Sequence, residues 1–347
     1  MKAFHEMPGA APRRTTPFQL IAGLAAVPAE LRRPIVAIGN FDGVHRGHQA
    51  VLAAAEATAD AGEAANRPRV ALTFEPHPRS YFRPDRPLFR LTPMLPKARL
   101  IAAAGFDAML VLPFDASLAS MSAEDFVHEI LVDRLEITGA TVGWDFHFGH
   151  KRLGSPAFLA EAGQRHGFPV EIVREFDDEG GEPISSSRIR ALLGAGELAL
   201  ANGLFGYRWF VTGRIVDGDK RGRTLGFPTA NMKLSPDCQL GHGVYAVEFI
   251  VDGVIRQGVA NYGRRPQFDN GAPVLETFVF DFSGDLYGKD VEVRFISYLR
   301  PELTFPSIEA LVARMREDCD EARAVLSQLP LGSALDLALD DGRARLP

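Results

Sequence analysis

One glycine-rich stretch with two histidines reads Gly39-Asn40-Phe41-Asp42-Gly43-Val44-His45-Arg46-Gly47-His48. It follows the apolar run 35–38 and leads into the alanine-rich run 49–57, so the pattern predicts a strand, a glycine turn and a helix. Residues three apart share one helix face, so His45 and His48 can face the same ligand. The N-terminus of a helix favours an anion. The stretch therefore predicts an anion site, the alternative being two surface histidines in a turn.

Outward from this stretch, the first half of the chain alternates strand and helix patterns. This alternation predicts βαβ units and a parallel sheet. Further strands are predicted over 69–74, 108–112, 140–143 and 170–173, and helices over 20–29, 96–104, 123–135 and 155–166. Polar turns containing His77 and Asp145 follow two of these strands. Because ligands bind beyond the carboxyl ends of parallel strands, the three turns predict one pocket.

The second half has a different pattern, in which short apolar strands alternate with glycine turns. These strands are predicted over 210–216, 243–251, 254–261, 275–282 and 290–299. Asp252-Gly253 is a hairpin signal, and the whole predicts a small antiparallel barrel closed by a helix over 307–326 with Ser307 as its N-cap. The pattern break at 202–206 predicts a short connection. We therefore expect domains at 1–202 and 203–330, and a loosely ordered tail at 331–347.

A second candidate site lies in the barrel half, where the loop 217–231 combines glycines with cations. Glycines allow close approach of the backbone, and cations neutralise phosphate charge. Thr229 and Asn231 offer oxygen ligands that suit magnesium. By composition alone, a basic surface loop explains this segment equally well.

Composition excludes several classes of function. The net charge of -6 argues against general nucleic-acid binding, which needs a basic face. Hydrophobic content of 46% and charged content of 24% are typical of globular proteins, and no apolar run approaches the about 18 residues of a membrane span. Cys238 and Cys319 form no metal or redox motif. We expect a cytoplasmic protein with small-molecule partners, no nucleic acid and no membrane, and a weak homo-oligomer is left open.

The motifs also carry a family resemblance. The 39–48 stretch resembles the nucleotidylyltransferase signature in its FAD synthetase form, and 217–231 resembles the glycine-rich loop and Pro-Thr-Ala-Asn motif of riboflavin kinase. Two later stretches, 258–266 and 275–289, resemble flavin-side and catalytic strands of that kinase. The chain thus resembles the bifunctional bacterial riboflavin kinase/FAD synthetase (FMN adenylyltransferase) family. The resemblance implies an α/β fold, with a Rossmann-like nucleotidylyltransferase domain followed by a small antiparallel β-barrel domain with a C-terminal helix.

The resemblance implies two reactions. ATP phosphorylates riboflavin to FMN, and a second ATP then transfers its adenylyl group to FMN, giving FAD and pyrophosphate, with Mg2+ as cofactor. One alternative is a single-activity FAD synthetase with an inactive kinase barrel. Another is a non-catalytic protein that senses flavin or nucleotide. The sensor needs binding groups but no base, and it is disfavoured by the joint presence of six residues: His45, His48, Asp145, Thr229, Asn231 and Glu276.

For adenylyl transfer, the resemblance implies that His45 and His48 contact the ATP phosphates and stabilise developing charge. Further phosphate-binding positions implied in this way are Gly39, Phe41, Asp42, Gly47, Asp145, Ser186, Ser187 and Arg190. Ser187 stands where the family motif has threonine, which keeps the hydroxyl. Arg188 is expected to face solvent, and Trp144 receives no role.

For the kinase, the resemblance implies that Glu276 is the general base, a solvated strand residue being the alternative. The implied ATP-binding positions are Gly218, Lys220, Gly222, Arg223, Gly226 and Thr229, and the implied metal ligands are Thr229 and Asn231. The candidates for flavin pockets are His77, Pro78, Asn261 and Arg265. For the turn at His77, a rigid proline loop is the alternative. Gln267 and Phe278 depart from the common family residues.

Overall fold

The computed structural model describes residues 17–59, 67–218, 225–264 and 273–341. The chain forms two compact units. The first comprises Met1–Pro84, Lys97–Phe176 and Asp341–Pro347, and the second comprises Asp85–Pro96 and Asp177–Asp340. The predicted boundary at residue 202 separates the residues expected to carry the first activity from those expected to carry the second. This division stays a prediction.

A parallel sheet forms the centre of the first unit. Its strands are β1 (Gln19–Ala22), β2 (Ile35–Ile38), β3 (Arg69–Glu75), β4 (Ala108–Pro113), β5 (Gly139–Gly143) and β6 (Val170–Val173). The order is β1-β4-β3-β2-β5-β6, and all neighbouring strands are parallel. Every residue of β2 is buried, as expected for a strand covered on both faces. The chain proceeds from β2 to one side through β3 and β4 and returns on the other side at β5. The strand order therefore reverses between β2 and β5. Sheets of this kind bind ligands at such a switch point, beyond the carboxyl ends of the strands.

Helices connect these strands. They are α1 (Arg46–Ala59), α2 (Pro78–Phe82), α3 (Met94–Ala103), α4 (Ala116–Ser120), α5 (Ala123–Asp125), a π-helix (Phe126–Arg134) and α6 (Pro156–His166), with 3-10 turns at Leu24–Ala26, Ala29–Leu31 and His150–Arg152. The helix predicted over 20–29 is wrong. Residues 19–22 instead pair with β4 along an edge of the sheet, and Gly23, at φ 76°, ends the strand.

A closed barrel forms most of the second unit. Its strands are β7 (Phe210–Val216), β8 (Thr229–Lys233), β9 (Gly243–Val251), β10 (Val254–Arg264), β11 (Pro273–Val279) and β12 (Asp290–Arg300), in the order β10-β11-β8-β7-β12-β9. The helices of this unit are α7 (Ser186–Ala195), α8 (Leu198–Phe205), α9 (Ile308–Ser327) and α10 (Ala334–Asp340). A parallel sheet followed by an antiparallel barrel and a C-terminal helix confirms the predicted fold class.

Local details confirm some predictions and correct others. Ser307 caps α9 by accepting a hydrogen bond from the N–H of Ala310 at 3.2 Å, as predicted. The predicted connection at 202–206 is wrong, because α8 continues through Phe205 and ends at Gly206 in the left-handed conformation. The tail is not wholly loose either. Leu335 and Leu339, one helical turn apart, bury one face of α10.

Two candidate active sites

The turn between β2 and α1 has a strained backbone. Phe41 and Val44 have φ angles of 47° and 38°, in a region that a β-branched residue such as valine rarely adopts. Burial offsets this cost, because both side chains are almost fully buried. Gln49 also pins the turn by donating from Nε2 to the Val44 carbonyl oxygen at 2.8 Å. Strain that the surrounding structure maintains is typical of functional sites.

The two histidines of this turn lie together at the start of α1. The N–H of Gln49 donates to the carbonyl of His45 at 2.9 Å, which makes His45 the residue that caps the helix. The backbone N–H of His48 donates to Nδ1 of His45 at 3.3 Å. Nδ1 is therefore an acceptor, and the neutral ring carries its proton on Nε2. The two rings are stacked with centroids 3.7 Å apart, so the predicted pairing of these side chains is present.

The environment keeps His48 neutral. Burial, and after it electrostatic interactions with His45, Lys97 and His77, lower the pKa of His48 well below its ordinary value. A neutral imidazole can still donate a hydrogen bond to phosphate. Nδ1 of His48 and Oδ1 of Asn40 are buried and have no hydrogen-bond partner within the described residues. Unpaired buried polar atoms of this kind often mark catalytic sites.

The other two predicted turns follow the strands on either side of β2. His77 comes two residues after β3, and its Nδ1 accepts from the N–H of Arg79 at 3.1 Å, capping α2. Asp145 comes two residues after β5 and is exposed. Since β3 and β5 both pair with β2 in parallel, the carboxyl ends of the three strands lie side by side. All three turns therefore lie at the same end of the sheet.

Two features of the first unit were not predicted. Tyr81, Phe82 and Phe114 form an edge-to-face cluster, and Phe82 is 61% exposed. Lys97 is buried, and its Nζ donates to the carbonyl of Asn40 at 2.7 Å. The signal for Lys97 was its helical spacing from the buried Leu100 and Ile101, although lysine is usually assigned to solvent.

The Ser-Ser-Ser-Arg segment begins α7 in the second unit. Ser185 is the N-cap, accepting from the N–H of Arg188 at 3.2 Å, so Ser186 and Ser187 occupy the first helical positions. Arg190 donates from Nε to the carbonyl of Phe89 at 2.6 Å.

The expectation that Arg188 faces solvent is wrong. Its guanidinium donates to Asp178 at 2.6 Å, and it also bonds the main-chain oxygens of residues 182 and 183. The N–H of Glu182 and the Arg188 guanidinium lower the pKa of Asp178. A partner ten residues away in an irregular segment gives no periodic signal in the sequence.

The candidate kinase residues form a row across the barrel. Glu276 on β11 is directly opposite Asn231 on β8 and Asn261 on β10. Thr229 is opposite Phe278, two residues along the same strands, so it lies on the same face. Phe278 packs against a cluster that includes residues of α9, whereas Thr277, on the opposite face, is buried inside the barrel. The predicted base and metal ligands therefore share the face that α9 partly covers.

Glycine is required at one position beside this row. A Cβ atom on Gly218 would lie 2.3 Å from Nδ2 and 2.9 Å from Oδ1 of Asn231. Asn231 is itself buried, and its Nδ2 donates to the carbonyl of Thr229 at 3.2 Å. Gly226 has φ 86°. Four predicted site residues lie outside the described residues: Lys220, Gly222, Arg223 and Arg265.

The described part of the chain lacks two kinds of feature. No group of three or more histidine, cysteine, aspartate or glutamate side chains there could hold a metal ion. None of the helices in that part combines the length and apolar character needed to cross a membrane.

Comparison with known proteins identifies two matched regions in the chain. Residues 27–188 match the family model for FAD synthetase, and residues 205–326 match that for riboflavin kinase. The bifunctional riboflavin kinase/FMN adenylyltransferase of Haemophilus influenzae is 40% identical over 88% of this chain and 98% of its own. The Escherichia coli K12 enzyme of the same name is 39% identical over 82% and 90%. A Streptococcus pneumoniae crystal structure described as a macrolide-efflux protein has a TM-score of 0.76 and 26% identity, covering 90% of this chain and 99% of that one.

The fold and the two matched regions define the class as a transferase with one adenylyltransferase domain and one kinase domain. The chain belongs to the bifunctional riboflavin kinase/FMN adenylyltransferase family. It phosphorylates riboflavin to FMN and adenylylates FMN to FAD, with ATP as the second substrate of both reactions.

Proposed function

We propose that FMN adenylyl transfer takes place at the His45–His48 turn. The observation that carries this proposal is the stacked histidine pair at the N-terminus of α1, with Nδ1 of His45 accepting from the backbone. An oxygen of the FMN phosphate attacks the α-phosphorus of ATP, and pyrophosphate leaves. Such a reaction requires positioning and charge stabilisation rather than a protein nucleophile. Imidazole N–H groups and the helix N-terminus supply that stabilisation.

Other groups are proposed to bind the substrates of this reaction. Around the turn, the ATP-binding positions are Gly39, Phe41, Asp42, Gly47 and Asp145. Ser186, Ser187 and Arg190 are proposed to bind phosphate through hydroxyl, amide and guanidinium groups, and the first turn of α7 supports this assignment. For the flavin ring, we propose His77 and Pro78, joined by the exposed face of Phe82.

For the kinase reaction, we propose that Glu276 is the general base. The ribityl 5′-hydroxyl of riboflavin attacks the γ-phosphorus of ATP, its proton passes to the Glu276 carboxylate, and ADP leaves. The row that joins Glu276 to Asn231 and Asn261 supports this role, because it brings two carboxamides beside the one carboxylate of a mostly apolar strand. ATP contacts are proposed at Gly218, Lys220, Gly222, Arg223, Gly226 and Thr229, and flavin contacts at Asn261 and Arg265.

Magnesium is proposed to bind at Thr229 and Asn231. A hydroxyl and a carboxamide oxygen are hard ligands that suit this ion, and the buried, fixed carboxamide of Asn231 supports the fit. When bound, the ion would neutralise charge on the ATP phosphates. With only two protein ligands, water and phosphate oxygens would complete its shell.

Thr229→Val should raise the magnesium concentration that half-saturates the kinase and leave that of adenylyl transfer unchanged.

Separation of the flavins after incubation tests the proposal. The protein is incubated with riboflavin, ATP and magnesium, with EDTA in a parallel sample. FAD formation that EDTA abolishes is the expected result. Riboflavin that stays unchanged while added FMN becomes FAD would indicate a single-activity FAD synthetase. Flavin that is bound but never converted would indicate a sensor.

We also propose a cytoplasmic protein with small-molecule partners and without nucleic-acid or membrane partners, and we leave a weak homo-oligomer open. Sedimentation over a range of concentrations would detect self-association.

The division of activities at residue 202 is testable with fragments 1–202 and 203–347. The second fragment should unfold at a lower temperature than the barrel of the whole chain. The cut removes the Leu91 carbonyl that accepts from Trp209 Nε1 and the Asn202 side chain that bonds the Trp209 N–H.

A further inference from the structure

Lys97 is a buried lysine in the first unit that no step described above requires. Only 1% of it is exposed, and it lies in α3 on the same helical face as the fully buried Leu100 and Ile101. A buried ammonium group is costly unless hydrogen bonds compensate for its lost hydration. An apolar residue of similar length would fill the same space without that cost. The charge of Lys97 therefore calls for an explanation beyond packing.

The ammonium group bonds to the main-chain carbonyl of Asn40, two residues beyond the end of β2. The N–H of Gly39 still donates to Leu72 on the neighbouring strand, at 3.1 Å. The next residue, Asn40, receives two hydrogen bonds at its carbonyl oxygen, from Lys97 Nζ at 2.7 Å and from Thr73 Oγ1 at 3.2 Å. Where the strand ladder ends, a charged donor and a hydroxyl donor thus fix the orientation of this peptide.

That peptide determines where the histidine turn begins. The carbonyl carbon of Asn40 forms the peptide bond to Phe41. Phe41 is the first residue of this turn with a left-handed φ angle. His45 and His48 follow within one short turn and the start of a helix. A rotation of the Asn40 peptide would therefore displace both imidazoles, and a displacement of about 1 Å can cost about 100-fold in rate.

Lys97 also places positive charge beside the histidines. Burial is the largest cause of the lowered pKa of His48, and His45 in the same turn, Lys97 on α3 and His77 beyond β3 each lower it further. A fixed cation in a buried environment favours the polyphosphate that reacts at this place.

We propose that Lys97 is a positioning residue for adenylyl transfer: it holds the Asn40 carbonyl, and through it the turn that carries His45 and His48, and keeps the site positive without contacting the substrate. This inference rests on the proposed function of that turn. It extends the site to a residue of a different helix, outside the motif.

The experiment compares three variants of the whole chain: Lys97→Met, Thr73→Val and His48→Ala. Thr73→Val is the matched control: it removes the other donor to Asn40 and the 3.4 Å hydrogen bond that Thr73 Oγ1 accepts from Lys97 Nζ, but it keeps the charge and the bond from Lys97 to Asn40. We expect Lys97→Met to lower kcat for FAD formation by about 10- to 100-fold while KM for FMN and ATP changes by less than about 3-fold. Thr73→Val should lower kcat by less than about 5-fold. Kinase activity, measured in the same samples, should be unchanged.

An NMR titration of the His48 ring adds a readout that a packing role would not change. Loss of the ammonium should raise the pKa of His48 in Lys97→Met relative to the wild type, whereas Thr73→Val should leave it unchanged. If Lys97→Met fails to fold, Lys97→Arg, which keeps the charge, replaces it, and most of the wild-type kcat is then expected.

Several results would overturn the inference: wild-type kcat in Lys97→Met, an equal loss in Thr73→Val, an unchanged His48 pKa in a folded Lys97→Met, or a Lys97→Arg variant that folds but is inactive. Full FAD synthesis by His48→Ala would instead overturn the proposed function of the turn.

Discussion

The two sites of this enzyme are held in place by different means. In the first unit, the histidines lie on a turn with left-handed φ angles at Phe41 and Val44, fixed by side-chain hydrogen bonds from Gln49 and Lys97. In the second unit, the candidate base and metal ligands lie on regular strands, fixed by the barrel ladder. A ladder positions many residues at once, whereas a strained turn depends on a few individual contacts. We therefore expect the histidine site to be the more sensitive to changes outside its motif.

The largest expected effect is at Glu276. Glu276→Gln keeps size and shape, so riboflavin and ATP should still bind, but the amide cannot accept the hydroxyl proton. Conversion of riboflavin to FMN should fall by about 10²–10⁴-fold. FAD synthesis from supplied FMN should continue at its normal rate. Separate assays with riboflavin and with FMN check both statements, and unchanged kinase activity would reduce Glu276 to a structural residue.

At the histidine turn, we expect a loss of about 10²–10³-fold in FAD formation for His48→Ala, typical for the removal of one preorganised donor. Formation of FMN from riboflavin should be nearly normal, because that reaction is assigned to the barrel, for which a separate phosphate loop is proposed. Steady-state rates with each flavin measure the two activities. Normal FAD synthesis by a folded variant would instead support the alternative, in which His45 and His48 are histidines of a surface turn without a role in catalysis.

A smaller effect is expected for Gly218→Ala, which tests whether the ladder alone fixes the kinase site. The added Cβ would lie 2.3 Å from Nδ2 of Asn231, so the carboxamide must move. The magnesium concentration that half-saturates the kinase should rise by about 10-fold, as for other changes beside a metal ligand. Magnesium titrations of both activities provide the measurement. An unchanged magnesium requirement would remove Asn231 from the metal site.

The smallest effect concerns protonation. Because the pKa of His48 is lowered, chiefly by burial, its ring should stay neutral as the pH falls through 6.5, where an exposed histidine becomes half protonated. An NMR titration of the free enzyme, with His48 assigned by comparison with His48→Ala, measures this. A His48 pKa at or above 6.5 would show that the ring is more exposed or less crowded by positive charge than the structure indicates.

The sequence allowed prediction of features that local patterns encode. The strand, turn and helix around the histidines, the Asp252-Gly253 hairpin and the Ser307 cap all follow from neighbouring residues, and the structure contains each of them. The strand β8 was not predicted, because the glycines and cations of 217–231 indicate a loop; on that strand, Thr229 and Asn231 lie on the same face.

Features that depend on distant partners were missed. The segment 19–22 becomes a strand because it finds an open edge of β4, almost 90 residues away in sequence. Lys97 was overlooked because its acceptor, Asn40, is 57 residues away. Arg188 was assigned to solvent because its partner, Asp178, precedes it in an irregular segment. Residue type and local spacing do not predict contacts of this kind, because the two partners lie far apart in sequence or in irregular segments.

A complementation assay tests the central claim, that two independent sites perform two consecutive reactions. Each of the variants His48→Ala and Glu276→Gln is incubated alone with riboflavin, ATP and magnesium, and then both are incubated together. Alone, His48→Ala should accumulate FMN and Glu276→Gln should leave riboflavin unchanged. Together they should produce FAD, because FMN released by one protein is the substrate of the other. A mixture that forms FMN but no FAD, although Glu276→Gln still adenylylates added FMN, would contradict independent sites.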